Sequence, residues 1–182
     1  MSYDLHLLRP RPGESVEETA TRDADEDSPA SPPDPQKEEL KRRVAAALIS
    51  QDKALAIFRF DYKEIARLQK ISVADAQLRF RHIELNDDAT GIQITLLDDE
   101  AGVTVPYWHT GEKAQAVLRR LLAHADTICK ETGFVAYDPQ LGRVVTSADL
   151  DAVAAVYVAQ VHALRDRYPS AAKSKRPWWK FW

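Results

Sequence analysis

Residues 80–108 constrain this chain more than any other stretch. FRHIEL, IQITLL and VTVPYW are rich in β-branched and aromatic residues, and NDDATG and DDEAG between them carry turn chemistry. That pattern predicts a β-meander of three strands. Ile92, Ile94 and Leu96 fall on one side, and Val103, Val105 and Tyr107 share an inward face on the next strand. Pro106 has no N–H for a ladder, so its strand is expected to lie at an edge or to end there. A sheet that is apolar on one face must be covered, which sends the search outward for helices.

The flanking sequence supplies them. Asp34-Pro35 is a capping residue followed by proline, and Leu40, Val44, Ala47 and Leu48 recur at helical spacing, predicting a helix over 36–50. Asp61 with Glu64, and Phe60 stapled onto Ile65, predicts a short helix over 62–69, with another near 73–79. Thr110 opens a long helix over about 111–131, striped by Val117, Leu118, Leu121, Leu122, Ala125, Ile128 and Cys129 and closed by Gly133. FVAYD and RVVT read as strands around the turn PQLG. Thr146 with Asp149 starts a last helix, 147–167, striped by Leu150, Val153, Tyr157, Val161 and Leu164. At the other end, Tyr3 to Leu8 alternates as a first strand, stopped by Pro10 and Pro12. The expectation is an α+β fold: a single domain with a mostly antiparallel sheet, a central meander, and helices mainly on one face.

Charge divides the chain further. The 182 residues carry a net charge of −3, yet residues 14–34 hold eight acids against Arg22 alone. With no apolar periodicity, residues 13–35 are expected to be a disordered acidic insertion. The domain is then 1–12 plus 36–168, followed by a basic aromatic tail, 169–182. There is no basic-then-apolar leader and no apolar run of membrane length, so a cytoplasmic location is expected, peripheral to a membrane if the tail binds one.

Chemical motifs are sparse. There is neither a glycine-rich phosphate loop nor a G-x-S-x-G elbow. Cys129, the only cysteine, lies on an apolar stripe as a core thiol would. His124 and Asp126 are two apart on a helix and point in nearly opposite directions, so they cannot share a metal. His82 and His109 lie on or beside the meander and are open as a pair. No catalytic residue, cofactor or metal is expected, and the chain does not read as an enzyme.

Two resemblances narrow the reading. EIARLQKIS, 64–72, followed by VADAQLRF, resembles a bacterial helix-turn-helix, and a hairpin follows as in winged helices. Lys70 stands where that turn usually has glycine, and Asp75 opens the second helix, leaving Arg67, Lys70, Arg79 and Arg81 as the basic patch. Nucleic acid is therefore the alternative partner, not the expected one. Across a longer span, MSYDL, RFRHIEL, GIQITL, VTVPYWH and GFVAYDPQLGRVV look like a group of poorly characterised small bacterial proteins, some of them immunity-type partners of polymorphic toxins. That resemblance implies an α+β protein that binds another protein. Tyr107, Trp108 and His109 are the expected anchors, with Asp98, Asp99 and Glu100 (and Asp87 and Asp88) as acidic complements to a basic toxin site. Trp108 is equally readable as half-buried core. The tail KSKRPWWKFW offers Lys175, Arg176, Trp178, Trp179, Lys180, Phe181 and Trp182. It reads as docked on the body, as weakly held at an anionic membrane surface, or as a linear motif.

Overall fold

A computed structural model describes residues 1–25 and 32–168. The strands are β1 (Ser2–Leu8), β2 (Ala56–Ile57), β3 (Ile83–Asp87), β4 (Ile92–Leu96), β5 (Glu100–Pro106), β6 (Val135–Asp138) and β7 (Arg143–Val144). The helices are α1 (Val16–Asp25), α2 (Pro35–Gln51), α3 (Tyr62–Gln69), α4 (Val73–Arg79), α5 (Gly111–Thr132) and α6 (Leu150–Arg167). All strands join one seven-stranded sheet in the order β2-β3-β4-β5-β1-β6-β7. Every pairing is antiparallel, and the fold is a single α+β domain.

The meander forms as β3-β4-β5. The amino-terminal strand then inserts between β5 and β6, in register from Ser2↔Pro106 to Leu8↔Glu100. Pro106 is the last residue of an internal strand, so its missing N–H falls where the ladder stops. Tyr3, Leu5, Leu85, Ile94 and Val103 point to one face. There they meet Val44 and Leu48 of α2, Leu118, Leu121 and Ile128 of α5, and Val153 and Tyr157 of α6. Burying each such side chain contributes about 1.5–3 kcal/mol, and these helices thereby fix the sheet's inner face.

The acidic insertion is corrected in part. Residues 16–25 are helical, not disordered. Ser15 and Glu18 form a reciprocal cap: each backbone N–H donates to the other's side chain, at 2.7 and 3.1 Å. Ala20 and Val16 of this helix pack on Leu8 and Tyr137, on the sheet face opposite the main core. Two small apolar residues and a cap suffice where a sheet surface is waiting. Residues 26–31 lie outside the described residues.

Between β2 and β3 the chain leaves the sheet as an arm, α3 and α4, which pack chiefly on one another. Their buried residues are Ala66 and Ala76, small enough to let the helices cross closely. Asp61 and Ser72 cap the two helices, and Lys70 between them takes the left-handed conformation, φ 56°. Phe60 ties the arm to the body: its ring lies 4.8 Å from His82, 5.1 Å from Phe58 and 6.0 Å from Phe80. Among the described residues, no helix is long and apolar enough to cross a membrane.

Candidate functional site

The expected anchors sit where β5 leaves the sheet, and the fold uses most of them internally. Tyr107 packs its ring against Tyr157 at 5.2 Å and Tyr3 at 6.3 Å. The Tyr157 hydroxyl donates to the Pro106 carbonyl at 2.5 Å and accepts from the His109 N–H at 3.2 Å. Burial pushes the Tyr107 and Tyr157 phenols up to about 12, so both remain hydrogen-bond donors at any ordinary pH. His109 is 3% exposed, which removes it as a surface contact, whereas Trp108 is 38% exposed. The indole lies over the β3-β4 turn, so close to Gly91 (φ 71°) that a Cβ there would stand 2.6 Å from Trp108 Cζ2.

His109 Nε2 lies 2.7 Å from both Trp108 Nε1 and the Thr90 carbonyl oxygen. The indole only donates and the carbonyl only accepts, so the tautomer of His109 decides which bond forms. From Thr90 the polar contacts continue inward. The Thr90 hydroxyl donates to Asp87 Oδ2 at 2.6 Å, and Arg120 Nη2 donates to the same oxygen at 2.8 Å. Arg120 Nη2 also reaches Asp52 Oδ2 at 2.6 Å, and His124 Nε2 lies 3.0 Å from that oxygen. Burial pushes the Asp87 carboxyl up, but Thr90 and Arg120 outweigh it and hold Asp87 below the usual carboxylate range. Asp52 is likewise held low, burial again opposed by Arg120 and the Ala54 N–H. For His124 burial outweighs the Asp52 carboxylate and lowers its pKa, which favours the neutral ring; its Nδ1 has no partner among the described residues.

Sequence reading missed Asp52, Arg120 and Tyr157 as members of this corner, and it placed Asp87 on the surface where the fold buries it. The Arg120 guanidinium stands between the two carboxylates, where a cation would otherwise go. No group of three or more His, Cys, Asp or Glu among the described residues could hold a metal.

The other expected acids are at the far end of the same strand, about 20 Å away by strand rise. Asp98 is bound by Lys41 at 2.8 Å and by Arg81, and Glu38 closes this half-buried quartet, of which Lys41 alone is fully covered, on both cations. Asp99 pairs with Lys37 at 2.6 Å on the surface, and Glu100 begins β5. The 107–109 and 98–100 sets are thus not one site. His82 belongs to this second end, against Phe60 and Phe80, so it does not pair with His109.

Other signals resolve as structure. Asp138 is fully buried, accepting from the Tyr3 hydroxyl and from the N–H groups of Gln140 and Leu141, so YDPQ brackets a turn. Cys129 is half-buried, and burial pushes its thiol up to about 11, as for a core thiol. His124 and Asp126 do diverge: one reaches Asp52, the other the Ser147 N–H. The tail residues Lys175, Arg176, Trp178, Trp179, Lys180, Phe181 and Trp182 lie outside the described residues.

Four of the nine exposed large apolar side chains among the described residues lie on the arm or at its root; Met1, Leu97, Trp108, Val144 and Tyr168 are spread over the rest of the fold. Ile57 (55% exposed) and Phe58 (47%) stand at the root of the arm, and Leu68 (64%) and Val73 (42%) at its tip. Of the basic patch, Arg67 is bound by Glu64 and Arg81 by Glu38 and Asp98, which removes both as free cations. No family model, curated protein or solved structure matches the chain.

Proposed function

We propose that this chain is a non-enzymatic protein-binding domain whose contact surface is the α3-α4 arm with the adjoining edge strand β2. One observation carries the reading. Leu68 and Val73 are exposed on the α3-α4 arm, which packs mainly on itself, and Ile57 and Phe58 are exposed at the edge strand from which it leaves. Water-facing apolar groups grouped along one stretch of chain mark an interaction surface, whereas scattered single ones do not. The ionisable clusters elsewhere support the same reading. Asp52, Asp87 and Asp98 are committed to Arg120, Lys41 and Arg81 in ion pairs that hold helices to the sheet. The likeness of the MSYDL, VPYWH and YDPQ segments to immunity-type proteins supports a toxin as the partner class.

The test is partner capture in the cells that express the chain, with a tagged full-length protein and a Leu68→Ser/Val73→Ser variant. The expected result is a discrete co-purifying protein whose cross-links fall within 57–73 and disappear in the variant. Equal recovery by both proteins contradicts the assignment.

One observation favours a second reading. Lys70 adopts the left-handed turn that a helix-turn-helix requires, and the β3-β4 hairpin follows as a wing would. Charge weighs against it. Arg59, Lys63, Lys70 and Arg79 make no ion pair among the described residues, and Asp75 lies in the first turn of α4. Duplex binding draws most of its affinity from phosphate contacts, roughly six to ten in a strongly salt-dependent binder. Loss of duplex binding on Lys70→Ala/Arg79→Ala would identify this case.

A further inference from the structure

We infer that the arm takes an acidic, amphipathic segment of its protein partner, a deduction that rests on the protein-binding reading above. The arm's charge is opposite to that of the chain. Residues 59–79 carry five basic and three acidic side chains, while the whole chain is at −3. All three acids are committed locally. Asp61 accepts from the Lys63 and Glu64 N–H groups at the start of α3, Glu64 holds Arg67 at 2.5 Å, and Asp75 accepts from the Ser72 hydroxyl at 2.6 Å. Arg59, Lys63 and Lys70 are exposed and hold no ion pair among the described residues. The field the arm presents to water is therefore positive, and it selects carboxylates.

The apolar groups set the shape of the ligand. Between root and tip runs α3, eight residues long and about 12 Å at 1.5 Å per residue, with Leu68 in its last turn. Two apolar side chains on one face of a partner helix, two turns apart, span about 11 Å. An amphipathic helix with apolar residues at that interval and carboxylates on its flanks matches both features. Phosphate backbones match only the charge, and they leave Leu68 and Val73 unused.

Anisotropy of labelled probes against the full chain tests this. One probe is a designed helical peptide of about 18 residues, with Leu and Phe two turns apart and Glu flanks. A second has Lys in place of Glu, and a third is a duplex of roughly 20 base pairs. The expected result is that the acidic peptide binds at least about 10-fold tighter than the basic one, with affinity falling as salt rises. Lys63→Glu/Lys70→Glu and, separately, Leu68→Ser/Val73→Ser should each weaken it about 10-fold, with thermal melts showing both variants folded. Equal affinity for the two peptides, or none for either, overturns the inference. Duplex binding that ignores the Leu68/Val73 changes also overturns it and assigns the arm to nucleic acid. If the peptides fail while residues 57–73 still cross-link a cellular protein, the acidic-segment inference falls and the protein-binding reading stands.

Discussion

Arg120 on α5 and Asp87 at the end of β3 meet at 2.8 Å, and the same guanidinium nitrogen holds Asp52 at the carboxyl end of α2 at 2.6 Å. One side chain thereby fastens two helices to the β3-β4 turn. Arg120→Met should leave two largely buried carboxylates facing each other. The expected cost is about 3 kcal/mol, the low end for breaking a buried pair, because Arg120 keeps about a third of its side chain in water. Urea denaturation measures it. Arg120→Met/Asp87→Asn should recover part of the loss, because a neutral amide no longer needs the cation.

The Tyr157 hydroxyl is the second fastening, between α6 and the end of β5. Tyr157→Phe leaves the buried His109 N–H without an acceptor, while the Pro106 carbonyl keeps the Trp108 N–H at 2.9 Å. A single orphaned donor should cost about 1–3 kcal/mol in the same assay, with no change in far-ultraviolet circular dichroism.

Gly91→Ala should be worse than its one methyl suggests. The position is left-handed, and the new carbon would meet Trp108 Cζ2 at 2.6 Å and Pro106 Cγ at 2.8 Å. Strain of about 1 kcal/mol adds to about 1–3 kcal/mol of overpacking, and Trp108 must move. A new chemical shift for the Trp108 indole N–H would report that movement directly.

Acid should unfold the domain in two stages. Burial lowers the folded pKa of His82, His109 and His124. The unfolded chain therefore takes up protons first, and stability falls as pH drops below about 6.5. Asp52, Asp87 and Asp98 are also depressed, but as acids. Their contribution is complete above about pH 4 and is lost as pH falls through their lower folded values. Denaturation midpoints from pH 7 to pH 3 should show both stages, with the first reduced in His124→Gln.

What the sequence disclosed follows from how local each signal is. The meander, the caps at Asp61 and Thr146 and the stop at Gly133 depend on neighbours within a few residues, and they stand as expected. The turn at Lys70 was legible as a place for glycine; the structure shows lysine bearing the left-handed conformation instead. The α1 helix was missed although its S-x-x-E cap is plain at Ser15–Glu18, because the acidic composition around it suggested disorder. Strand β2 has only two residues and offers no period to detect. The Arg120 contacts join residues 68 and 33 positions apart, and no window sees them. Nor can a pattern tell that Leu68 faces water while Leu85 is buried. Exposure is a property of what the fold brings alongside.

Photo-cross-linking from position 68 tests the central claim most directly. A benzophenone amino acid replaces Leu68 in one full-length protein and, as a control at the opposite sheet edge, Val144 in another. Both positions are exposed; Val144 lies on β7, at the sheet edge opposite β2, the strand from which the arm leaves. The account predicts a discrete protein adduct from 68 and none from 144. Adducts from 144 alone, or from both positions equally, would contradict it.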